Sequence, residues 1–332
     1  MARLAWIGLL SSCTWATACA PRGASAPPSP IDVAAAEPAV APPPAVQAAS
    51  RSPKGLLTPA EARAYMVRLI NRDRASAGLS PVALDEGPAT RAGQLHAQDM
   101  AAHGYLGHWG TDGSVPEQRF TDAGGTDMVL ENASCFTDER TRVLDAAPRI
   151  DPRTVEQTED MFFQETPPHD GHRKNILKPW HKTVGIGVAQ PTSTPTEIPV
   201  PCFAQEFVDS YGTYQPAPRK ARPGELLHVG GTMASPATFA GVGLARVEPP
   251  RPVPVSELNR RRSYPVPAPY QMYWPPGFQT PIPVQVSGSR FAIDVPLSDT
   301  NRPGLYEVSV WATMPGSPDF VMVSLRTIQV RP

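Results

Sequence analysis

Proline sets the first limit on this chain: 42 of its 332 residues are proline, roughly 13% against a usual ~5%. Proline lacks a backbone donor and breaks helix interiors, which excludes a helical bundle running the whole length. The prolines are also unevenly placed. Ten fall between Pro21 and Pro59, and eleven between Pro249 and Pro283. The second of these stretches reads as a long, irregular crossing segment. The length fits about two domains of ~150 residues. With 30 basic against 31 acidic residues, no electrostatic footprint for nucleic acid exists, and no nucleic-acid partner is expected. No run of eighteen apolar residues occurs, which excludes a multi-spanning membrane protein.

Residues 1–18 read as an export signal: Arg3 gives a positive start, Leu4 to Leu10 an apolar core, and small residues follow. Cleavage after Ala20 would put Pro21 next to the cut, a poor geometry for the peptidase. Ala16-Thr17-Ala18-Cys19 instead resembles a bacterial lipobox, with Cys19 as the lipidated mature first residue. Leu10-Ser11-Ser12-Cys13 fits that pattern too, with a shorter apolar core, and plain secretion is the remaining alternative. A multi-acyl anchor at Cys19 would hold the protein at a membrane, each buried methylene contributing ~0.8 kcal/mol. Residues 19–57, rich in Pro and Ala, bury too little apolar surface to offset ordering entropy and read as a disordered tether.

A folded domain is expected over 58–214. Thr58-Pro59-Ala60-Glu61 is a capping box with proline at the first helical position, and Met66, Leu69 and Ile70 mark one apolar face. A second helix is expected from about Pro88 to Ala102, with Ala92, Leu95 and Met100 apolar and Gly104 as its stop. A short helix around Arg119-Phe120 ends on Gly124. Another runs from Thr154 to Gln164 and carries Val155, Met161, Phe162 and Phe163. Residues 183–190 and 202–209 read as strands. This mixture argues an α/β or α+β sandwich.

Several blocks fall in a recognisable order: Asn71-Arg72-Asp73-Arg74-Ala75, His96-Ala97-Gln98-Asp99-Met100, Gly107-His108, Glu131-Asn132-Ala133, Gly171-His172-Arg173-Lys174-Asn175, and Val184-Gly185-Ile186-Gly187. Together they resemble a bacterial CAP domain (SCP-like; cysteine-rich secretory protein, antigen 5, pathogenesis-related 1) over about residues 58–212. The resemblance implies a three-layer α-β-α sandwich with a cleft lined by two histidines and two glutamates. By position these are His108, Glu131 and His172, with Glu165 as the second glutamate and Glu159 as its alternative.

Two imidazoles and a carboxylate suit Zn²⁺ or a similar divalent ion, with His108 and His172 as ligands and Glu131 beside them. The same set could do acid–base work, but no motif pairs it with a nucleophile. A structural reading stands alongside, in which these side chains satisfy buried backbone groups between layers. Arg173 and Asn175 look structural, and His96 reads as a packing or surface residue. His103, His181 and His228 receive no functional reading. His169 and His172 are expected in a loop, given Gly171 and the prolines before it. Asn132-Ala133-Ser134 is read as a chance match to a glycosylation sequon.

Processing at Cys19 leaves Cys135 and Cys202, whose expected fate in an exported chain is one disulfide. Residues 215–224 form a basic, proline-containing linker. Beyond it, strand-like runs at 226–229, 239–247, 284–295, 305–312 and 320–330 predict a smaller all-β domain over 225–332. Pro303-Gly304-Leu305-Tyr306 hints at the tyrosine corner of an immunoglobulin-like sandwich. The expected protein is exported and lipid-anchored in the cell envelope, or extracellular. Its cleft is expected to bind a small apolar or lipid molecule, a cell-wall glycan or a divalent metal. Binding is favoured over catalysis, a peptidase-like hydrolase and an envelope adhesion or spacing module being the alternatives.

Overall fold

The computed structural model describes residues 52–192, 199–261 and 263–332; the export signal, Cys19 and the tether as far as residue 51 lie outside them. Leu57 is the first core residue, joined to Ile150 by a pair of backbone hydrogen bonds of 2.8 Å. Helix α1 (Pro59–Ser76) starts on the capping box: Thr58 Oγ1 accepts the Glu61 N–H at 3.3 Å, and Glu61 Oε2 accepts the Thr58 N–H at 2.8 Å. Two residues of the first sequence block then act as clasps. The Asn71 amide holds Val82 through both its N–H and its carbonyl, at 2.8 and 2.9 Å, which docks strand β1 (Ala83–Leu84). Arg74, fully buried, donates to the carbonyls of Ser80, Ile176 and Lys178.

Helix α2 (Pro88–His103) stops at Gly104 in the left-handed conformation (φ +66°), which glycine adopts without a Cβ penalty. Then come α3 (Pro116–Asp122), β2 (Met128–Ser134), α4 (Pro152–Phe163), α5 (Gly171–Ile176), β3 (Thr183–Ala189) and β4 (Cys202–Asp209). The sheet order is β1-β3-β4-β2, antiparallel except for β1 beside β3. Alternation along the strands builds two cores. Val184, Ile186, Val188, Phe203 and Phe207 pack with Tyr65, Met66, Leu69 and Ile70 of α1 and Val155 and Phe162 of α4. On the opposite face glycines let α2 lie almost on the sheet: a Cβ at Gly187 would sit 2.0 Å from the Gly93 carbonyl oxygen. The layers are therefore α-β-α. A disulfide joins Cys135, just past β2, to Cys202 at the start of β4, with the Cα atoms 4.4 Å apart.

Several sequence expectations need correction. Leu95 and Met161, assigned to apolar faces, are 61% and 54% exposed. Helix α2 meets its glycine-floored sheet through Ala89, Ala92, Gly93 and Ala97, so a leucine is excluded from that face. In α4 the inward stripe is Val155, Thr158, Glu159 and Phe162, and Met161 falls off it. Gly171–Ile176, expected as a loop, is a short helix.

The second region holds β5 (Gly212–Tyr214), β6 (Lys220–Ala221), β7 (Leu226–Met233), β8 (Thr238–Val247), helix α6 (Val255–Leu258), β9 (Gln271–Tyr273), β10 (Gln285–Ser287), β11 (Arg290–Pro296), β12 (Gly304–Thr313) and β13 (Val321–Val330). Two sheets form, β10-β11-β7-β5 and β6-β13-β12-β8-β9. They share one core in which Val229, Phe291 and Val295 meet Val242, Val308, Val310 and Val323. The run 284–295, expected as one strand, is a hairpin that turns at Gly288 (φ +59°), placing Ser287 opposite Arg290. Strand β13 packs against the first region: Ser324 donates to the Thr126 carbonyl at 2.5 Å, and Thr121 Oγ1 accepts the Thr327 N–H at 3.2 Å.

Candidate functional site

Strand β2 lies at the edge of the first sheet, and beside it the two helical layers border a cavity of about 410 Å³. His108 comes to it from the loop after α2. Glu131 comes from β2, Glu165 from the turn after α4, and His172 from the first turn of α5; all four line this one cavity. Glu159 does not. It is buried beneath the sheet, accepting from Gln205 Nε2 at 2.6 Å, and burial pushes its carboxyl up to about 8.

The two histidines are held in the same manner. His108 Nδ1 donates to Glu131 Oε1 at 2.9 Å, and His172 Nδ1 donates to Glu165 Oε1 at 2.5 Å. Glu165 also accepts the His172 backbone N–H, at 2.9 Å, and the His172 ring lies tilted against Phe162 with centroids 4.5 Å apart. A carboxylate facing Nδ1 fixes the tautomer of the neutral ring, so Nε2 carries the free lone pair. The side chains of His108 and His172 are 20% and 31% exposed. Both rings line the cavity, and each, held in this tautomer, has Nε2 as its acceptor nitrogen.

Behind His108 the site is buried and charged. Glu131 Oε2 accepts from Arg119 Nη2 at 2.6 Å, the two side chains being 1% and 7% exposed. Burial alone would raise the Glu131 carboxyl; the Arg119 guanidinium, with His96 and His108, outweighs it and holds the group far below the usual range. His96 is fully buried, its Nε2 donating to the Gly107 carbonyl at 2.7 Å and lying 3.6 Å from Glu131 Oε1. This places His96 in the interior network and not on a surface. Burial, then the Arg119 charge, lowers its pKa to about 4. Glu206 sits opposite Glu131 in the β2–β4 register. Burial and the neighbouring Glu131 charge raise it well above the carboxylate range, so it holds its proton.

Amides join the two halves. Asn175 Nδ2 donates to the Glu131 carbonyl at 3.2 Å and to Asn132 Oδ1 at 2.9 Å, while Asn132 Nδ2 donates to the His172 carbonyl at 3.2 Å. Arg173 donates to the Phe163 carbonyl and covers its ring. His169 reaches the cavity rim, His181 is sealed against Asp209 at 2.6 Å, and His228 pairs with Asp294 in the second region. His103 bonds back onto its own helix at Asp99.

Residues 67–200 match the model of the cysteine-rich secretory protein family, CAP. Those residues form a CAP domain. Among solved structures the chain is similar to an extracellular protein containing an SCP domain from Bacillus anthracis str. Ames, with 18% identity and a TM-score of 0.34. That match covers 47% of this chain and 45% of the other, so the chain spans less than half of that protein. No curated protein matches the chain. The sequence did not point out Glu117 and, from the second region, Tyr264, which line the cavity, nor Arg119 and Glu206 in the charged network behind it. Glu206, a charged residue in mid-strand beside phenylalanine and valine in CFAQEFVD, was the one legible signal among them.

Proposed function

We propose that this is an exported CAP-domain protein whose cleft binds a ligand through His108 and His172. One observation carries the reading: both rings turn Nδ1 to a carboxylate, at 2.9 and 2.5 Å, and both line one cavity, which leaves Nε2 of each as the nitrogen free to accept. Such a site offers acceptors, so its ligand supplies positive charge or donors. A divalent cation, or the hydroxyl and ammonium groups of a cell-wall glycan, fits that chemistry better than an apolar or lipid molecule. The donor set suits Zn²⁺ or a similar ion held by His108 and His172, with Glu131 and Glu165 orienting the rings from behind. Both Glu131 oxygens already face His108 and Arg119. A bound cation would supply Lewis acidity and a positive charge in the cleft.

The peptidase-like alternative uses the same histidine–carboxylate pairs as general base, and an envelope spacing module would use neither. The tethering segment and lipid-modified Cys19 place the domain at a membrane face in this proposal. The immunoglobulin-like reading of the second region draws support from Tyr306, whose hydroxyl donates to the Arg302 carbonyl at 2.8 Å.

Titration calorimetry of the full chain with Zn²⁺ tests the reading. Expected is one site, lost in His108→Ala and in His172→Ala, and weakened ~10- to 100-fold in Glu165→Gln. Binding should weaken as pH falls, because protons compete with the ion for its ligands. Identical affinity in wild type and in both alanine variants removes the metal reading. Turnover of a peptide or muramyl substrate that vanishes in Glu165→Gln moves the assignment to a hydrolase.

A further inference from the structure

The CAP cleft is not walled by the CAP domain alone. Between β8 and β9 the second region sends out an arm, described over residues 248–261 and 263–270, that crosses the loop carrying His108. The arm is held along its path. Val253 N–H donates to the Thr111 carbonyl at 2.9 Å, and Asn259 Oδ1 accepts the Leu106 N–H at 3.0 Å. Leu258 is fully buried in the same core as Met100 and Tyr105. Near the far end, Arg261 covers the Trp109 ring at 4.7 Å, and Trp109 meets Tyr264 edge-on at 4.9 Å. Ser263, Tyr264 and Val266 then line the cavity that holds the two histidines. The Tyr264 hydroxyl donates to Glu117, and its ring centroid stands 6.5 Å from that of His108.

We propose that Tyr264 is a specificity-determining residue, closing the His108 side of the cleft against bulky ligands. The cleft then accepts a compact donor-bearing group, such as a hydrated cation or the terminal hydroxyls or ammonium of a longer molecule, and refuses the mid-section of a polymer. At about 410 Å³ the cavity sits near the small end of ligand sites. This inference rests on the binding role given above to the two histidines.

Two readouts on the full chain keep the two ideas apart. The first is the rate of histidine modification by diethylpyrocarbonate, resolved per residue by mass spectrometry. Tyr264→Ala should raise the His108 rate at least fivefold and leave His228 unchanged, whereas Tyr264→Phe, which keeps the ring, should stay within about twofold of wild type. The second is binding of free Zn²⁺ against the bulkier zinc–iminodiacetate complex. Wild type should prefer the free ion at least tenfold, and Tyr264→Ala should cut that preference to less than threefold. If the sealed His181 also reacts in Tyr264→Ala, the variant has unfolded. Ser263→Trp on the exposed rim then decides, and must slow His108. Unchanged His108 rates in these variants, or an unchanged Zn²⁺ preference in Tyr264→Ala, overturn the proposal. A wild type that binds neither zinc species overturns the metal reading of the cleft instead, while the modification rates still report the screen.

Discussion

Glu131→Gln is the sharpest perturbation of the charged interior behind the cleft. The substitution keeps shape but removes the negative charge that Arg119 faces at 2.6 Å, in a pair whose side chains are 7% and 1% exposed. Breaking a buried pair from one side strands the other charge and costs about 3–5 kcal/mol. At roughly 2–4 °C per kcal/mol, the melting temperature should fall by roughly 6–20 °C. Glu165→Gln removes the matching carboxylate from a pair that is 22% and 31% exposed, where solvent screening limits the loss to about 1 kcal/mol or less. Glu206→Gln should be close to neutral near pH 7, because Glu206 already holds its proton. The acid limb supplies a second signature. Glu131 titrates in the fold far below its unfolded value of 4.5. Its contribution is therefore present above that value and lost as pH falls through the folded one, and Glu131→Gln should lack this part of acid unfolding. Calorimetry and urea titration at pH 7, and in steps from pH 4.5 down to about pH 2.5, measure all of this. A Glu131→Gln protein that melts within about 2 °C of wild type, or as Glu165→Gln does, refutes the reasoning.

Glu159 gives the opposite pH dependence. Its folded value of about 8 lies above its unfolded 4.5, so its contribution is full below 4.5 and is lost as pH rises toward 8, at about 1.4 kcal/mol per pH unit. Urea midpoints at pH 5, 6, 7 and 8 should fall less steeply in Glu159→Gln than in wild type, the difference between the two being that slope. Opening the Cys135–Cys202 disulfide, which spans 67 residues, should cost ~4 kcal/mol in the chain-entropy model, read as a lowered urea midpoint in dithiothreitol. Gly187→Ala cannot place its Cβ 2.0 Å from the Gly93 carbonyl oxygen without moving α2. A loss of about 3 kcal/mol or more, or no folded protein, is expected.

Local signals were the most legible in the sequence. The capping box at Thr58 and the stop at Gly104 are read correctly because each rests on one backbone requirement. Export chemistry pointed to the Cys135–Cys202 pair. The ordered blocks pointed to His108, Glu131, Glu165 and His172, and the fold gathers them at one sheet edge. What escaped depends on contacts made across the chain. His96 looked like a helix-edge residue because only α3 and the return of β2 surround it with Arg119 and Glu131. Leu95 broke the apolar pattern because a glycine-floored sheet demands alanines opposite it. Tyr264 was invisible for the same reason. Nothing in a proline-rich crossing segment says that Tyr264, and not Tyr270 or Tyr273, travels to another domain's cleft and donates to Glu117.

The most direct test is long-range ¹H–¹⁵N NMR of imidazole-labelled protein, with and without Zn²⁺. With the rings neutral, His108 and His172 should both show the Nδ1–H tautomer, and Zn²⁺ should perturb the two Nε2 resonances together at one equivalent. Nε2–H tautomers, or a response confined to one ring, would contradict a shared cavity faced by two carboxylate-held histidines.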